Sequence, residues 1–385
     1  MTDSRTGVDT DICIVGAGPV GLFVRALLRA KGVRCLLLEA RSAAANLSDR
    51  RVVALSWGSH LKLLRVGVDV RHSPEVGLIK TIHVSQAAKL GRTTLSALDA
   101  NLPALGFVVA YRELVHHLLE ASDGPEDLRY GTLVEAVEET HGGVRICGGN
   151  GPIHARAAVI ADGSGDMLAR SGFHVDALDY GSHALVATVT ASQSDGSTAY
   201  ERFTRYGPLA LLPRGKSHSM VWALPEKQAL EVQNQGPDVL LARLQSAFGW
   251  RLGRFTAATD TAVFPLGLRT TRPVARGRIV VLGNAAQTLH PVAGQGLNLG
   301  FRDAWSLARD LSARTRAFDS AFATYALRRQ TDRMITMSFT DFLARAFVLT
   351  TPGSSLARTA LLEFLDLVPG PRKFFSRLLS ITPPR

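Results

Sequence analysis

Apolar residues near the start of the chain fall into blocks of different spacing, and the spacing predicts a strand, a helix and a second strand in that order. Ile12-Cys13-Ile14-Val15 is a continuous apolar run, the mark of a strand covered on both faces. Leu22-Phe23-Val24-Arg25-Ala26-Leu27-Leu28 suits a helix, and Val33-Arg34-Cys35-Leu36-Leu37-Leu38 returns to strand. A short helical stretch lies around residues 61–64 and is closed by Gly67, and alternation near 79–85 and 92–95 marks half-buried strands. Residues 111–121 have helical spacing, with Leu114, Val115, Leu118 and Leu119 on one face. Residues 133–138 and 144–147 read as a hairpin, and 157–161 as a short buried strand that runs into Asp162-Gly163.

Between residues 183 and 268 the pattern changes. Alternating or apolar runs at 184–189, 200–203, 209–212 and 219–224 are separated by glycine, proline and polar clusters, which predicts an antiparallel sheet. One helical interval, around 239–248, interrupts it. The opening style then returns. Residues 278–282 form a continuous apolar strand, a glycine-dense loop runs from Gly283 to Gly300, and a helix is expected over 299–311.

The first strand reaches the first helix through Gly16-Ala17-Gly18-Pro19-Val20-Gly21. Glycine permits a tight turn at 16, a close approach of backbone to a pyrophosphate at 18 and close helix–strand packing at 21, while the helix N-terminus directs N–H groups at the anion. Pro19 suits the first turn, where its missing donor costs nothing. The second strand ends in Glu39, near the position about 20 residues on where an acid bonds a ribose hydroxyl. An acid there accepts an adenosine diphosphate with a free 2′-hydroxyl, as in FAD or NAD, and repels a 2′-phosphate. Three glycines at this spacing also occur in plain turns, so the ordered strand, loop, helix, strand and acid are what favour a dinucleotide site. The loop from Gly283 is a second place built for backbone approach to a ligand. One cofactor held by two distant glycine loops suits a flavin better than a nicotinamide.

With 385 residues the chain has room for two domains or one large composite unit. Its 46% hydrophobic and 20% charged content describe a folded chain, not a disordered one. The formal charge of +11 comes mostly from arginine and favours anionic partners in general. The arginines are dispersed and not interleaved with aromatics, so nucleic-acid binding is not expected. Cys13, Cys35 and Cys147 form no CxxC pair and no metal-ligand spacing, so no metal site is expected and the thiols read as small buried hydrophobes in a reducing compartment. The first residues lack the apolar core of a signal peptide, and no run approaches the roughly 20 apolar residues of a spanning helix. These features predict a cytoplasmic protein.

Gly16 to Gly21 with Glu39, Arg51 in Arg-Val-Val-Ala-Leu-Ser, Asp162-Gly163 after its strand, and Gly283 to Gly300 followed by Asp303 together resemble the flavoprotein monooxygenases typified by para-hydroxybenzoate hydroxylase. A narrower resemblance is to the ubiquinone-biosynthesis hydroxylases of the 2-polyprenyl-6-methoxyphenol hydroxylase type. It rests on residues 103–109, on Arg202-Phe203-Thr204 with Gly207-Pro208-Leu209-Ala210, and on Phe264-Pro265-Leu266. Most specific is Thr288-Leu289-His290-Pro291-Val292-Ala293-Gly294-Gln295-Gly296. The resemblance covers nearly the whole chain and implies an α/β fold. A discontinuous Rossmann-like FAD-binding domain would take residues 1–75, 101–182 and 270–330, an antiparallel β-sheet substrate domain 76–100 and 183–269, and a C-terminal helical segment 331–385.

The resemblance implies FAD as cofactor and NAD(P)H as a transient electron donor. It also implies O₂ as co-substrate, with one oxygen passed through a flavin hydroperoxide to the ring of a polyprenylated phenol. Residue by residue, Gly16, Gly18, Gly21 and Glu39 would hold the adenosine diphosphate part of FAD. Arg51 and Arg112 would lie near its phosphates or the flavin, and Asp162 and Gly163 would contact both FAD and the donor. Gly283 and Asn284 would stand by the ribityl chain, and Gly294, Gln295, Gly296, Leu297 and Asn298 at the flavin's pyrimidine edge. His290, beside Pro291, is the histidine candidate for a role near the flavin, with a structural role as its alternative. Such chemistry needs no nucleophile, so no Ser-His-Asp triad is read from scattered residues.

Three positions depart from the family pattern: Asn284 for a common aspartate, Gln287 for a common histidine, and Asp166 for a serine. Asp166 either weakens binding of an anionic cofactor or sits on the surface against Arg170. Phe203, Leu211, Trp222 and Phe264 are candidates for lining a substrate pocket or for plain core. Beyond residue 355, Ala360, Leu361, Phe364, Leu365, Phe374, Phe375, Leu378 and Leu379 lie beside Arg358, Arg372, Lys373 and Arg377. That pattern suits a peripheral contact with the inner membrane, docking onto the flavin domain, or a partner in a biosynthetic complex. Two further readings stay open: hydroxylation of another aromatic, and a non-catalytic lipid-binding or scaffold role.

Overall fold

The computed structural model describes residues 8–346 apart from 48, 88–90, 123–126, 150, 164, 292–293, 313–314 and 316. The basic, apolar stretch around residues 358–379 and the loop residues Val292 and Ala293 therefore lie outside the described residues. The apolar runs of the opening pattern become the centre of an eight-stranded sheet. Its spine is β17 (Ala275–Arg276), β18 (Ile279–Val281), β11 (Ile153–Ile160), β1 (Thr10–Val15), β2 (Cys35–Leu38) and β8 (Leu128–Arg129). From β18 to β8 every pairing is parallel, while β17 runs antiparallel. The hairpin of β9 (Val134–Glu139) and β10 (Val144–Gly148) joins through β10 to β11. Strands covered on both faces have no polar side to show, which is why their sequences are continuous apolar runs.

Five of the nine α-helices among the described residues matter most here: α1 (Pro19–Arg29), α3 (Trp57–Leu64), α4 (Tyr111–Ala121), α8 (Gln295–Asp310) and α9 (Phe318–Ala346); α2 (Ala43–Leu47) and α5 (Gly165–Arg170) are short. Helix α1 is buried along almost its whole length, from Pro19 to Leu28. Phe23 meets Phe301 of α8 edge to face at 5.1 Å, a contact that adds about 1 kcal/mol beyond its buried area. The crossing is tight where Val20 faces Gly283 and Gly300. A Cβ on Gly300 would lie 2.6 Å from Val20 Cγ2 and 3.2 Å from Gly283 Cα. A small sheet of β3 (Val52–Ser56), β7 (Gly106–Ala110) and β4 (Gly77–Ile79) lies beside this layer.

The second large sheet orders as β19 (Gln287–Thr288), β16 (Phe255–Arg272), β12 (His174–Ala191), β15 (Ser217–Pro225), β14 (Pro208–Arg214), β13 (Thr198–Phe203), β5 (Thr81–Gln86) and β6 (Arg92–Ser96). It differs from the sequence expectation in four respects. It starts at His174 rather than 183, because β12 and β16 are each 18 residues long and pair along their length. One pairing, β13 with β5, is parallel. Residues 79–85 divide, Ile79 ending β4 and Thr81 starting β5. Finally, two helices interrupt the sheet, α6 (Glu226–Gln235) and α7 (Pro237–Phe248). In α6 only Ala229 and Val232 are buried, too small an apolar face to read against its polar composition. Among the described residues no helix is long and apolar enough to cross a membrane.

A buried ionic network joins α8 and α9 to the loop after β18. Asp303 has no exposed surface and accepts from Arg329 Nε at 2.8 Å and from Gln287 Nε2 at 2.9 Å. Gln287 Oε1 accepts in turn from Arg333 Nε at 2.6 Å, and Asp332 pairs with both Arg329 and Arg302. The glutamine that departs from the family pattern is thus the neutral bridge between a buried carboxylate and an arginine.

Two outcomes test this packing. Gly300→Ala sets a methyl against Val20, whose β-branched side chain has little rotamer freedom in a helix. It should cost about 1–3 kcal/mol, read from urea unfolding. Asp303→Asn removes the buried negative charge facing Arg329 and should cost on the order of 3 kcal/mol, read the same way.

Candidate functional site

The parallel strands end together, and the residues that follow each end gather at one edge of the sheet. That edge receives Gly16 after β1, Glu39 after β2, Asp162 after β11 and Gly283 after β18. In an open α/β sheet this is where ligands bind. Gly16 has φ of +103°, and a Cβ there would lie 2.9 Å from Asp162 N, so both conformation and space demand glycine. Its N–H donates to Leu38 O at 2.7 Å, pinning the turn to β2.

Glu39 is buried and spans the loop. Its Oε2 accepts from Ala17 N at 2.8 Å, and its Oε1 from Arg41 N at 3.0 Å and Arg41 Nε at 3.1 Å. An ionised carboxylate has roughly four acceptor positions, so one remains for a hydroxyl. Gly18 is the N-cap of α1, and Gly294, at φ +58°, that of α8. Neither cap carries a side-chain hydrogen bond. Two glycine-capped helix starts of this kind favour anionic ligand groups.

Helix α8 begins at Gln295, four residues before its expected start, because Gly294 takes the left-handed cap conformation and Asn298 secures it. The Asn298 amide donates to Gly294 O at 2.7 Å and to Ala54 O at 3.0 Å. Its Oδ1 accepts from Ser56 N at 2.8 Å and Ser59 Oγ at 2.7 Å. With its donors and acceptor engaged, Asn298 acts as a staple between the second glycine loop and β3. Gln295 is buried, Leu297 packs on the core, and a Cβ at Gly296 would meet nothing within 4 Å.

Arg51 directly precedes β3, pairs with Asp49 at 2.6 Å and lies 5.0 Å over the Tyr111 ring. Tyr111 Oη comes within 3.4 Å of where a Gly18 Cβ would sit, so Arg51 and the first loop share a wall. Arg112 pairs with Glu113 and is half exposed; no described contact joins it to the loops. Gly163 stacks against Asn284, whose side chain is exposed, and its carbonyl accepts from Arg269 of β16. Asp166 is exposed, and Arg170 Nε reaches its backbone carbonyl at 3.4 Å rather than its carboxylate. Arg41, Tyr111 and Arg269 carry no motif. Only their tertiary neighbours give them a place in the site.

His290 is buried, edge-on to Tyr180 at 5.5 Å, and burial pushes its pKa down to about 4 against the opposing charge of Asp341. Near neutral pH the ring is therefore uncharged. Pro291 is exposed and, with Leu289, Arg50 and Arg51, closes one side of a cavity of about 310 Å³. Its floor is one face of the second sheet, through Ala184, Val186, Ser219, Val221, Phe264 and Leu266. Of the four aromatic and aliphatic lining candidates, only Phe264 lies here. Leu211 and Trp222 sit on the opposite face in the cluster beneath α6 and α7, and Phe203 is buried at the end of β13. The period of two along a strand decides this, since Val221 faces the cavity and its neighbour Trp222 cannot.

Burial pushes the Cys13 thiol up, and that of Cys35 up to about 12, which keeps both inert. Among the described residues no cluster of His, Cys, Asp or Glu is arranged to hold a metal ion.

Known proteins share this architecture. The 3-demethoxyubiquinol 3-hydroxylase of Escherichia coli is 28% identical, over 90% of this chain and 92% of its own. The ubiquinone hydroxylase UbiL of Rhodospirillum rubrum is 29% identical, over 90% and 84%. The crystal structure of p-nitrophenol 4-monooxygenase PnpA from Pseudomonas putida superposes with a TM-score of 0.76 at 16% identity, covering 97% and 98%, which speaks for the fold alone. A family profile described as an FAD-binding domain matches residues 9–338. Spanning both glycine loops and the sheet between them, that match makes the chain a member of the FAD-binding domain family, with FAD as its cofactor.

Proposed function

We propose that the protein is an FAD-dependent monooxygenase that hydroxylates the aromatic ring of a polyprenylated phenol in ubiquinone biosynthesis, with NAD(P)H and O₂ as co-substrates. The observation that carries this reading is the position of the cavity. It lies between the loop that precedes α8 and an apolar sheet face, beside the edge where both glycine loops converge. Hydroxylases that match nearly the whole chain supply the substrate class.

The residues fit the cofactor. In this reading Gly16, Gly18 and Gly21 lie against the pyrophosphate at the start of α1, and the open acceptor position of Glu39 takes the ribose hydroxyl. Arg51 and Arg112 face its anionic part, and Asp162, Gly163, Gly283 and Asn284 line the middle. Residues 294–298 bring the N-terminus of α8 to the flavin ring, where the positive end of the helix stabilises negative charge. When bound, FAD supplies two-electron exchange with NAD(P)H and activation of O₂ for transfer to an electron-rich ring. The chain's own part is to hold the phenol over Val186 and Val221, to shed water from the cavity, and to keep an uncharged histidine at 290 beside it.

Two measurements test the reading. The purified protein should show flavin bands with FAD that bleach on adding NADH or NADPH under air, faster with a prenylated phenol present. A protein that takes up no FAD would overturn it. Gly16→Ala and Asn298→Ala should each lower FAD affinity by roughly ten- to a hundredfold, as a strained turn or unpaired buried groups cost about 1–3 kcal/mol. Equilibrium dialysis checks this, with circular dichroism confirming the fold.

A further inference from the structure

The sheet face that floors the cavity continues beyond it. Val186, Val221, Ala210 and Glu201 stand on one cross-strand row over β12, β15, β14 and β13, and Val84 of β5 and Thr93 of β6 extend it. Side chains along such a row point to one face, so Glu201 faces the same side as Val186 and Val221. It stands two strand spacings, roughly 10 Å, from Val221. The residue between them is the small, partly exposed Ala210.

Glu201 Oε1 is buried without a hydrogen-bond partner. Gln86 Oε1 and Thr93 Oγ1, on the same face to either side of Val84, are buried without partners too. Unpaired buried polar groups are costly and uncommon. Three of them on one face beside a cavity call for a ligand that completes them.

Among the described residues no cation answers Glu201. Arg202, next on β13, turns to the opposite face and donates to Ala247 O and Ser85 Oγ. Arg50, Arg51 and Arg214 of the cavity pair with Asp260, Asp49 and Glu75. Facing Glu201 from the adjoining strands are Val84 and Ala210, with Gln86 and Thr93 beyond, none of them titratable. Burial alone pushes its carboxyl up to about 8, so near neutral pH it is a carboxylic acid, able to donate as well as accept.

Resting on the phenol hydroxylase reading, we propose that Glu201 is a specificity-determining residue: its carboxyl donates a hydrogen bond to the substrate's phenolic oxygen, whose O–H in turn donates a hydrogen bond to Gln86 Oε1. The pair selects an uncharged phenol over a ring that presents a carboxylate at that place, because none of the described cations is placed to receive it.

The test is the affinity of the FAD-loaded protein for 2-prenylphenol, read from perturbation of the flavin absorption bands between pH 6.5 and 9.5. Wild-type affinity should be flat below pH 8 and fall above it by about tenfold per pH unit, as loss of a single proton requires. Glu201→Gln keeps a donor and cannot ionise, so it should bind within a few-fold of wild type with no fall above pH 8. Glu201→Leu should bind at least about tenfold more weakly at every pH. If the Leu variant fails to fold by thermal melting, the Gln profile decides. A wild type that binds no phenol would sink the hydroxylase reading together with this proposal. A wild type that binds, with a Gln variant that keeps the same fall above pH 8, would sink the role of Glu201 alone.

Discussion

Val20 pressed between Gly283 and Gly300 is the contact on which the site depends. It sets how near α8 can come to α1, and each helix begins at one of the two glycine loops. A methyl group at 300 would force the helices apart and with them the loops. The same closeness leaves α1 with no solvent-facing side, so its burial and the geometry of the loops are one fact.

A second layer of constraint is polar. Asp303, Gln287, Arg329 and Arg333 bind α8 and α9 to the loop after β18, while Asn298 binds the start of α8 to β3. The Asn298 bonds span more than 240 residues of chain and the ionic ones 16 to 46, and together they fix the second loop from both sides. They also account for part of the basic composition. Arg302, Arg329 and Arg333 are placed on internal partners, as Arg29, Arg34 and Arg41 are around the first sheet. Paired in this way, these arginines hold elements of the fold together.

The second sheet divides its two faces by the strand period. One face packs Leu185, Leu211, Met220 and Trp222 beneath α6 and α7. The other carries small residues, Ala184, Val186 and Val221, which leave space above them, and continues through Ala210 to Glu201, Gln86 and Thr93, each with a buried polar atom that has no partner. Apolar floor and polar end lie on one surface because five successive strand pairings keep register there.

Local signals in the sequence were sufficient for the parallel core, the first loop and α4. Continuous apolar runs, a glycine turn and a strand-ending acid act over neighbouring residues, and Glu39 duly ends β2 at the loop. They were not sufficient for α6, whose two buried residues are outnumbered, for the start of α8, or for which of Trp222 and Phe264 meets the cavity. Nor could they place Arg41 against Glu39, Arg269 against Gly163, or Glu201 on the cavity face. The chain by itself determined where backbone must turn and which segments must be buried, because those follow from side-chain size and polarity at adjacent positions. Only the tertiary structure decided which polar groups find partners and which do not, because pairing depends on distances between residues the chain sets far apart.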